Sequence, residues 1–307
     1  MSNVLNTIGN TPLIKLNTIP DQSGAQVYLK LEYFNPTASY KDRMALAVIE
    51  EAEKRNELKQ GMTVIENTAG STGTSLAFVC SAKGYKFKAI SSNAFSKEKL
   101  MGIQMFGGEL EIINNDSLEI TPDLIPRLMT YVKKLSFDKS YFWTRQFENP
   151  DTLIGYSAMA REIVNQIELP IHTFCAAVGT AGMFVGVGGE LAKVYNNINL
   201  IALEPASSPL LSKGFTGTHN VEGISAGFMP PFLNYLNHYN VQSIEELQAI
   251  NMANRLVNEE GVLAGKSTGL NVAAAVNIAK SLTPNDIVIT VACDSGMKYL
   301  STGLYSK

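Results

Sequence analysis

Short apolar runs alternate along the chain with longer segments of helical spacing. "MTVIEN" (62–67), "YKFKAISS" (85–92) and "GELEIIN" (108–114) predict strands. Between them, "TSLAFVCSAKG" (74–84) and "KEKLMGIQMFGG" (97–108) predict helices, each closed by glycine. "TPDLIPRLMTYVKKL" (121–135) predicts another helix, with Thr121 as N-cap and Pro122 at its first position. The second half continues the alternation, with strand 171–178, helix from Gly182 to about Tyr195, strand 198–205, helices near 243–258 and 268–282, strand 286–293, and a last helix near 296–305. Such alternation predicts an α/β fold of mostly parallel twisted sheets wound with helices. Ligand loops then sit at the carboxyl ends of the strands, and a cleft between two lobes is the natural site.

Composition narrows the function. The chain of 307 residues is long enough for two lobes, each with a core, and 45% hydrophobic against 17% charged residues marks a globular protein. A formal charge of -3 leaves no basic surplus, so no nucleic-acid partner is expected. The opening "MSNVLNTIGNTPLIKL" lacks the basic start and apolar run of a signal peptide, and no apolar stretch approaches the ~20 residues of a membrane helix, so no membrane partner is expected. Cys80, Cys175 and Cys293 stand singly in apolar settings and read as buried free thiols, which predicts a cytoplasmic protein. His172, His219 and His238 show no metal-ligand spacing, and no metal is expected. A GxSxG hydrolase motif is absent.

Four segments at strand-to-helix or loop-to-helix junctions carry the chemistry. In "NPTASYKDR" (35–43), Lys41 opens a helix, where the positive dipole end disfavours a cation. It is either an exposed lysine at a helix start or a desolvated nucleophile or base. "ENTAGSTGTSLA" (66–77) is a βα turn dense in hydroxyls and glycines that suits a carboxylate or phosphate; no lysine follows in P-loop spacing. "AAVGTAGMFVGVGGE" (176–190) leads from an apolar strand into a helix, as a phosphate cradle would, without matching GxGxxG. "VACDSGMKYLST" (291–302) ends a strand and caps a helix with Asp294 or Ser295, whose hydroxyl could instead face a ligand.

In this order, together with "IGNTPLIKL", "LEPASSPLL" and "EGISAGFMP", these segments resemble the tryptophan synthase β-like (fold type II) pyridoxal-phosphate enzymes, nearest the cysteine synthase and cystathionine β-synthase group. The resemblance covers nearly the whole chain. It implies a small mobile domain over 42–147 that binds the substrate carboxylate, and a large cofactor domain from 1–41 and 148–307. It also implies a homodimer. Lys41 matches the lysine that forms the Schiff base with pyridoxal 5'-phosphate and then shuttles the α-proton. Gly179, Thr180, Ala181, Gly182 and Met183 match the phosphate cradle, and Ser71 the residue beside the cofactor's phenolate oxygen. Ser295 matches the serine at the pyridine nitrogen. Thr68, Ala69, Gly70, Thr72 and Gln146 match the carboxylate site, and Gly223, Ser225 and Met229 further substrate contacts.

The implied reaction is β-replacement on a β-substituted L-alanine through an aminoacrylate, with sulfide as the nucleophile of a cysteine synthase acting on O-acetylserine or O-phosphoserine. Cysteine breakdown to hydrogen sulfide and serine, a cystathionine β-synthase-like or diaminopropionate-type reaction, and serine or threonine dehydration are the alternatives. The chain departs from the family pattern at several places. Ser71 replaces an asparagine, Ala69 a serine, Ala181 a glycine and Met183 a threonine. Ser225 replaces a glycine, Met229 an isoleucine, and Lys266 a small or apolar residue. These changes are read either as neutral drift around a cysteine synthase or as a shifted specificity in which Lys266 or Ser225 touches a polar or acidic second substrate.

Overall fold

A computed structural model describes residues 3–116 and 119–305. In chain order the elements are β1 (Leu13–Lys15), β2 (Gln26–Leu31), α1 (Lys41–Lys54), β3 (Thr63–Asn67), α2 (Ser71–Lys83), β4 (Lys86–Ser91), α3 (Lys97–Met105), β5 (Glu109–Ile112), α4 (Leu124–Leu135) and β6 (Tyr141–Trp143). They continue with α5 (Asp151–Gln166), β7 (Thr173–Ala177), α6 (Gly182–Val194), β8 (Asn199–Pro205), α7 (Leu210–Lys213), β9 (Asn240–Ile244), α8 (Glu246–Glu260), α9 (Lys266–Ala279) and β10 (Ile287–Ala292).

Two sheets result, a six-stranded one in the order β1-β2-β10-β7-β8-β9 and a four-stranded one in the order β5-β4-β3-β6. All pairings are parallel except β1 with β2. Buried on both faces, the central strands read as continuous apolar runs: every residue of β7 and β10 is buried. In the small sheet the winding runs from β3 through β4 to β5, and β6 returns to the other side of β3. In the large sheet β7, β8 and β9 run one way while β10 inserts between β7 and β2. Crevices open at the carboxyl ends of strands at such reversals, and the chain's loops with unusual chemistry follow β3, β6, β7 and β10.

A buried apolar cluster runs from Met44, Ala45 and Val48 of α1 through Tyr156, Met159 and Ala160 of α5 to Phe184 and Val187 of α6. The same cluster takes in Val64, Leu76 and Phe87 of the small sheet and its helix, so one core joins both sheets. A second one, with Ile65, Phe95, Ile120, Ile125 and Phe147, backs the other face of the small sheet. Among the described residues no helix is long and apolar enough to cross a membrane. All three cysteines are buried free thiols, and burial pushes each up to about 12.

Boundaries differ from the expected ones in a few places. α2 starts at Ser71, three residues before the expected 74, because Gly70 takes φ +119° and lets the chain turn directly into the helix. Thr121 does not cap α4: Asp123 occupies the N-cap, and Thr121 only accepts the Leu124 N–H through its carbonyl. Residues 243 and 244 end β9 rather than starting a helix. The last segment is a 3-10 helix, Gly296–Thr302, kinked at Tyr299. β1, β2, β6, α5, α7 and β9 are not anticipated from the pattern.

Candidate active site

Lys41 is held from both sides of its backbone. The Tyr40 N–H donates to the Cys293 carbonyl (3.1 Å) and the Ser295 N–H to the Ala38 carbonyl (3.2 Å), which lays residues 38–40 against the end of β10. The buried Asp42 carboxylate accepts the Thr37 N–H (2.8 Å) and the Thr37 hydroxyl. Arg43 pairs with Glu32 and Glu162, each at 2.7 Å. These bonds fix the first turn of α1, so the Lys41 side chain is buried at a set place. Its Nζ donates to the Tyr40 hydroxyl (3.0 Å) and lies 4.3 Å from the Tyr40 ring centre. Loss of water pushes the amine down to about 8; the Lys99 charge pushes the same way, and Asp294 opposes it. The exposed-lysine reading is thereby excluded.

The loop after β3 faces Lys41 across one cavity, lined by Lys41, Asn67, Thr68, Ala69, Ser71 and Thr72 among others. The Thr68 hydroxyl accepts the Gly70 and Gly73 N–H groups, each at 2.9 Å, which shapes the loop. Ser71 and Thr72 are the first residues of α2, so their N–H groups have no intrahelical partner and suit an anion. Gly70 itself does not line the cavity. A Cβ there would lie 2.3 Å from Cβ of Lys99, so Gly70 is a requirement of packing.

Gln146 comes from beyond β6 and is set by Glu66. The fully buried Glu66 carboxylate accepts from Trp143 Nε1 (3.1 Å), the Thr144 hydroxyl (2.6 Å) and the N–H groups of Gln146 and Asn67 (2.9 Å each). Burial raises Glu66 to about 6, against those four donors. The Gln146 amide then donates to the Asn67 carbonyl (2.6 Å) and accepts from the Thr72 hydroxyl (2.8 Å). Thr68, Ala69, Thr72 and Gln146 thus come together at the cavity as expected.

Gly179 and Thr180 follow β7 and line the same cavity with Gly223. A Cβ on Gly179 would lie 2.1 Å from the Gly223 carbonyl oxygen, so these two backbones can meet only through glycine. Ala181, at φ +66°, is the N-cap of the 13-residue α6. The side chains of Ala181 and Met183 pack in the core. The first turn of α6 can therefore contribute backbone N–H groups only, and no Met183 side chain reaches the cavity. A loop leading into a helix start suited to phosphate, lining one cavity with a buried amine of lowered proton affinity suited to an aldehyde, fits pyridoxal phosphate.

Three expected contacts lie elsewhere. The Ser225 hydroxyl donates to Ser208 (3.0 Å to its Oγ), Met229 is half exposed, and Lys266 Nζ donates to the Asn220 carbonyl (3.3 Å). None of the three lines the cavity. Ser295 differs too: its hydroxyl accepts the Met297 N–H (3.2 Å) and caps the last 3-10 helix. Lys41 also lines an adjoining cavity, with Ser267, Cys293, Asp294, Lys99 and Glu222. Lys99 Nζ reaches the Tyr299 hydroxyl (2.7 Å) and Glu222 (3.1 Å), and Tyr299 donates to Asp294 (3.0 Å). Sequence reading passed over Ser267, although a small hydroxyl residue just before the expected helix start at 268 was a usable signal. Lys99 and Glu222 carried none, since only the fold brings them together.

The chain matches the family described as "Pyridoxal-phosphate dependent enzyme" over residues 4–294. It is 40% identical to a cysteine synthase of Staphylococcus aureus (strain Mu50 / ATCC 700699), covering 100% of this chain and 97% of that protein. Its fold is similar to the crystal structure of O-ureido-L-serine synthase, with TM-score 0.92 and 31% identity over 99% of this chain and 95% of that one. The cysteine synthase of Entamoeba histolytica is also similar, with TM-score 0.91 and 31% identity over 100% of this chain and 91% of that one. Shared sequence over the full length, and a buried lysine facing a phosphate cradle, make this chain a member of the fold type II pyridoxal-phosphate-dependent enzymes, in the cysteine synthase group.

Proposed function

We propose that the protein makes cysteine by β-replacement, from O-acetylserine or O-phosphoserine and sulfide. The observation that carries this reading is the single cavity shared by the buried Lys41 amine, the carboxylate loop and Gln146. Lys41 and the 179–183 cradle would hold pyridoxal phosphate, which when bound would supply the electron sink that makes the α-hydrogen of an amino acid acidic. Thr68, Thr72, Gln146 and the N–H groups at the start of α2 orient the substrate carboxylate. Lys41 Nζ takes the α-proton, its lowered proton affinity placing it near the working pH. The bond from Cβ to the leaving oxygen breaks, the Cβ–S bond forms, and Lys41 returns the proton to Cα. In sum, O-acetylserine and hydrosulfide give cysteine and acetate. Phe95, Ile120, Ile125 and Phe147 form an apolar wall that limits water, and so limits hydrolytic loss.

The carboxylate loop and Gln146 belong to the small sheet, while the cradle belongs to the large one. This division supports residues 42–147 as the mobile domain that closes on a bound carboxylate. Ser267, not Ser295, serves as the neutral hydroxyl for the cofactor ring. The homodimer rests on the family resemblance, and sedimentation of the purified protein tests it. The three unpaired thiols support a cytoplasmic location. The deciding experiment scores products from O-acetylserine, O-phosphoserine, serine and cysteine, with and without sulfide. Cysteine that appears only with sulfide supports the reading. Pyruvate from serine alone would make the protein a dehydratase, and hydrogen sulfide from cysteine alone would make it a lyase.

A further inference from the structure

Asn67 ends β3, and alternation along the strand puts its side chain on the face of Ile65, which packs with Phe95, Ile120, Ile125 and Phe147. Its main chain is fully used, the N–H by Glu66 and the carbonyl by Gln146. The side chain is 1% exposed and lines the cavity. Neither Oδ1 nor Nδ2 has a hydrogen-bond partner among the described residues. Every other polar side chain on that lining has one: Lys41 with Tyr40, Thr68 with Gly70, Ser71 with Asp294, Thr72 with Gln146, Lys99 with Tyr299 and Thr180 with Gly182. Leaving one amide unmet in a buried site is costly unless a ligand meets it.

We infer that Asn67 reads the substituent on the substrate's Cβ, and that this substituent bears a carbonyl, as an acyl or carbamoyl group does. The amide Nδ2 can donate to a carbonyl oxygen, and Oδ1 can accept an N–H where the group is a carbamoyl, whereas an anion would meet Nδ2 but face the lone pairs of Oδ1. The anionic carboxylate has its own donors at the start of α2, whereas the apolar wall beside Asn67 would leave a charge desolvated. Leaving group and nucleophile both bond to Cβ, so one amide can serve either. Specificity for the Cβ group thus resides in Asn67 rather than in Ser225 or Lys266, neither of which lines the cavity.

This inference rests on the proposed β-replacement and is tested with the holoenzyme. Two donors, O-acetyl-L-serine and β-chloro-L-alanine, share the amino-acid end and differ in the Cβ group. With sulfide in excess, Asn67→Ala is expected to lose about tenfold in kcat/KM on O-acetylserine, the usual scale for one buried hydrogen bond, and little on chloroalanine. No protein hydrogen bond is removed, so the melting temperature without substrate stays at the wild-type value or rises. Equal losses on both donors, no loss on O-acetylserine, or a fallen melting temperature with equal losses would each overturn the assignment. A wild-type protein inert toward both donors would instead overturn the β-replacement itself, so the two failures are distinct.

Discussion

The Ser71 hydroxyl donates to Oδ2 of Asp294 at 3.3 Å, across 223 positions of sequence. Ser71 opens α2 above the small sheet, and Asp294 follows β10 of the large one. Lys99 makes a second such link, from α3 to Glu222 and Tyr299. The cofactor-side wall is therefore a bond between the two halves of the cleft. Ser71→Ala removes that bond, and a hydrogen bond to a carboxylate contributes about 1.5–3 kcal/mol. Weaker retention of pyridoxal phosphate, by roughly tenfold or more, is expected, read by absorbance after dialysis. Unchanged retention would mean that the Ser71–Asp294 contact does not bear on the cofactor.

Lys41 sets the pH dependence of cofactor capture. With its amine at about 8, the neutral, nucleophilic form grows in through pH 8 instead of near 10.5. Capture of pyridoxal phosphate by the cofactor-free protein should rise through pH 8 and level off above it. Lys41→Ala should abolish the Schiff-base absorbance. The linked effect on stability has a definite sign: between 8 and 10.5 the unfolded state binds more protons, so the cofactor-free protein gains stability as pH rises across that window. A capture profile centred near 10 would contradict the burial argument.

Ser267 and Ser295 separate by position. Ser267→Ala should shift the cofactor absorbance and lower turnover. Ser295→Ala should leave the absorbance alone and cost about 1 kcal/mol of stability through the lost helix cap. The reverse pattern would restore Ser295 to the ring.

Gly179→Ala places a methyl group against the Gly223 carbonyl, so the cradle must open. Cofactor affinity is expected to fall at least about tenfold, the effect of moving a phosphate contact, while Gly214→Ala, in the turn that closes α7, should leave it unchanged. Equilibrium dialysis distinguishes them.

What the sequence determined by itself was the local grammar. Apolar strands buried on both faces, helices closed by glycine, and hydroxyl-rich loops at strand ends depend on neighbours within a few residues. That sufficed for the α/β class, for Lys41 at a helix start, and for two anion loops. Family resemblance carried the cofactor. Short or half-exposed strands such as β1, β6 and β9 escaped, because their pairing partners are distant. So did Lys99 and Glu222, whose pairing arises only where the fold brings them together beside the last 3-10 helix. Ser225, Met229, Lys266 and Ser295 show the converse. Each sits in a motif beside the cleft, yet the direction of a side chain is settled by packing, which turned these four away. Asn67 was decided the same way: strand alternation and an apolar wall, both tertiary facts, leave its amide buried in the cleft without a protein partner.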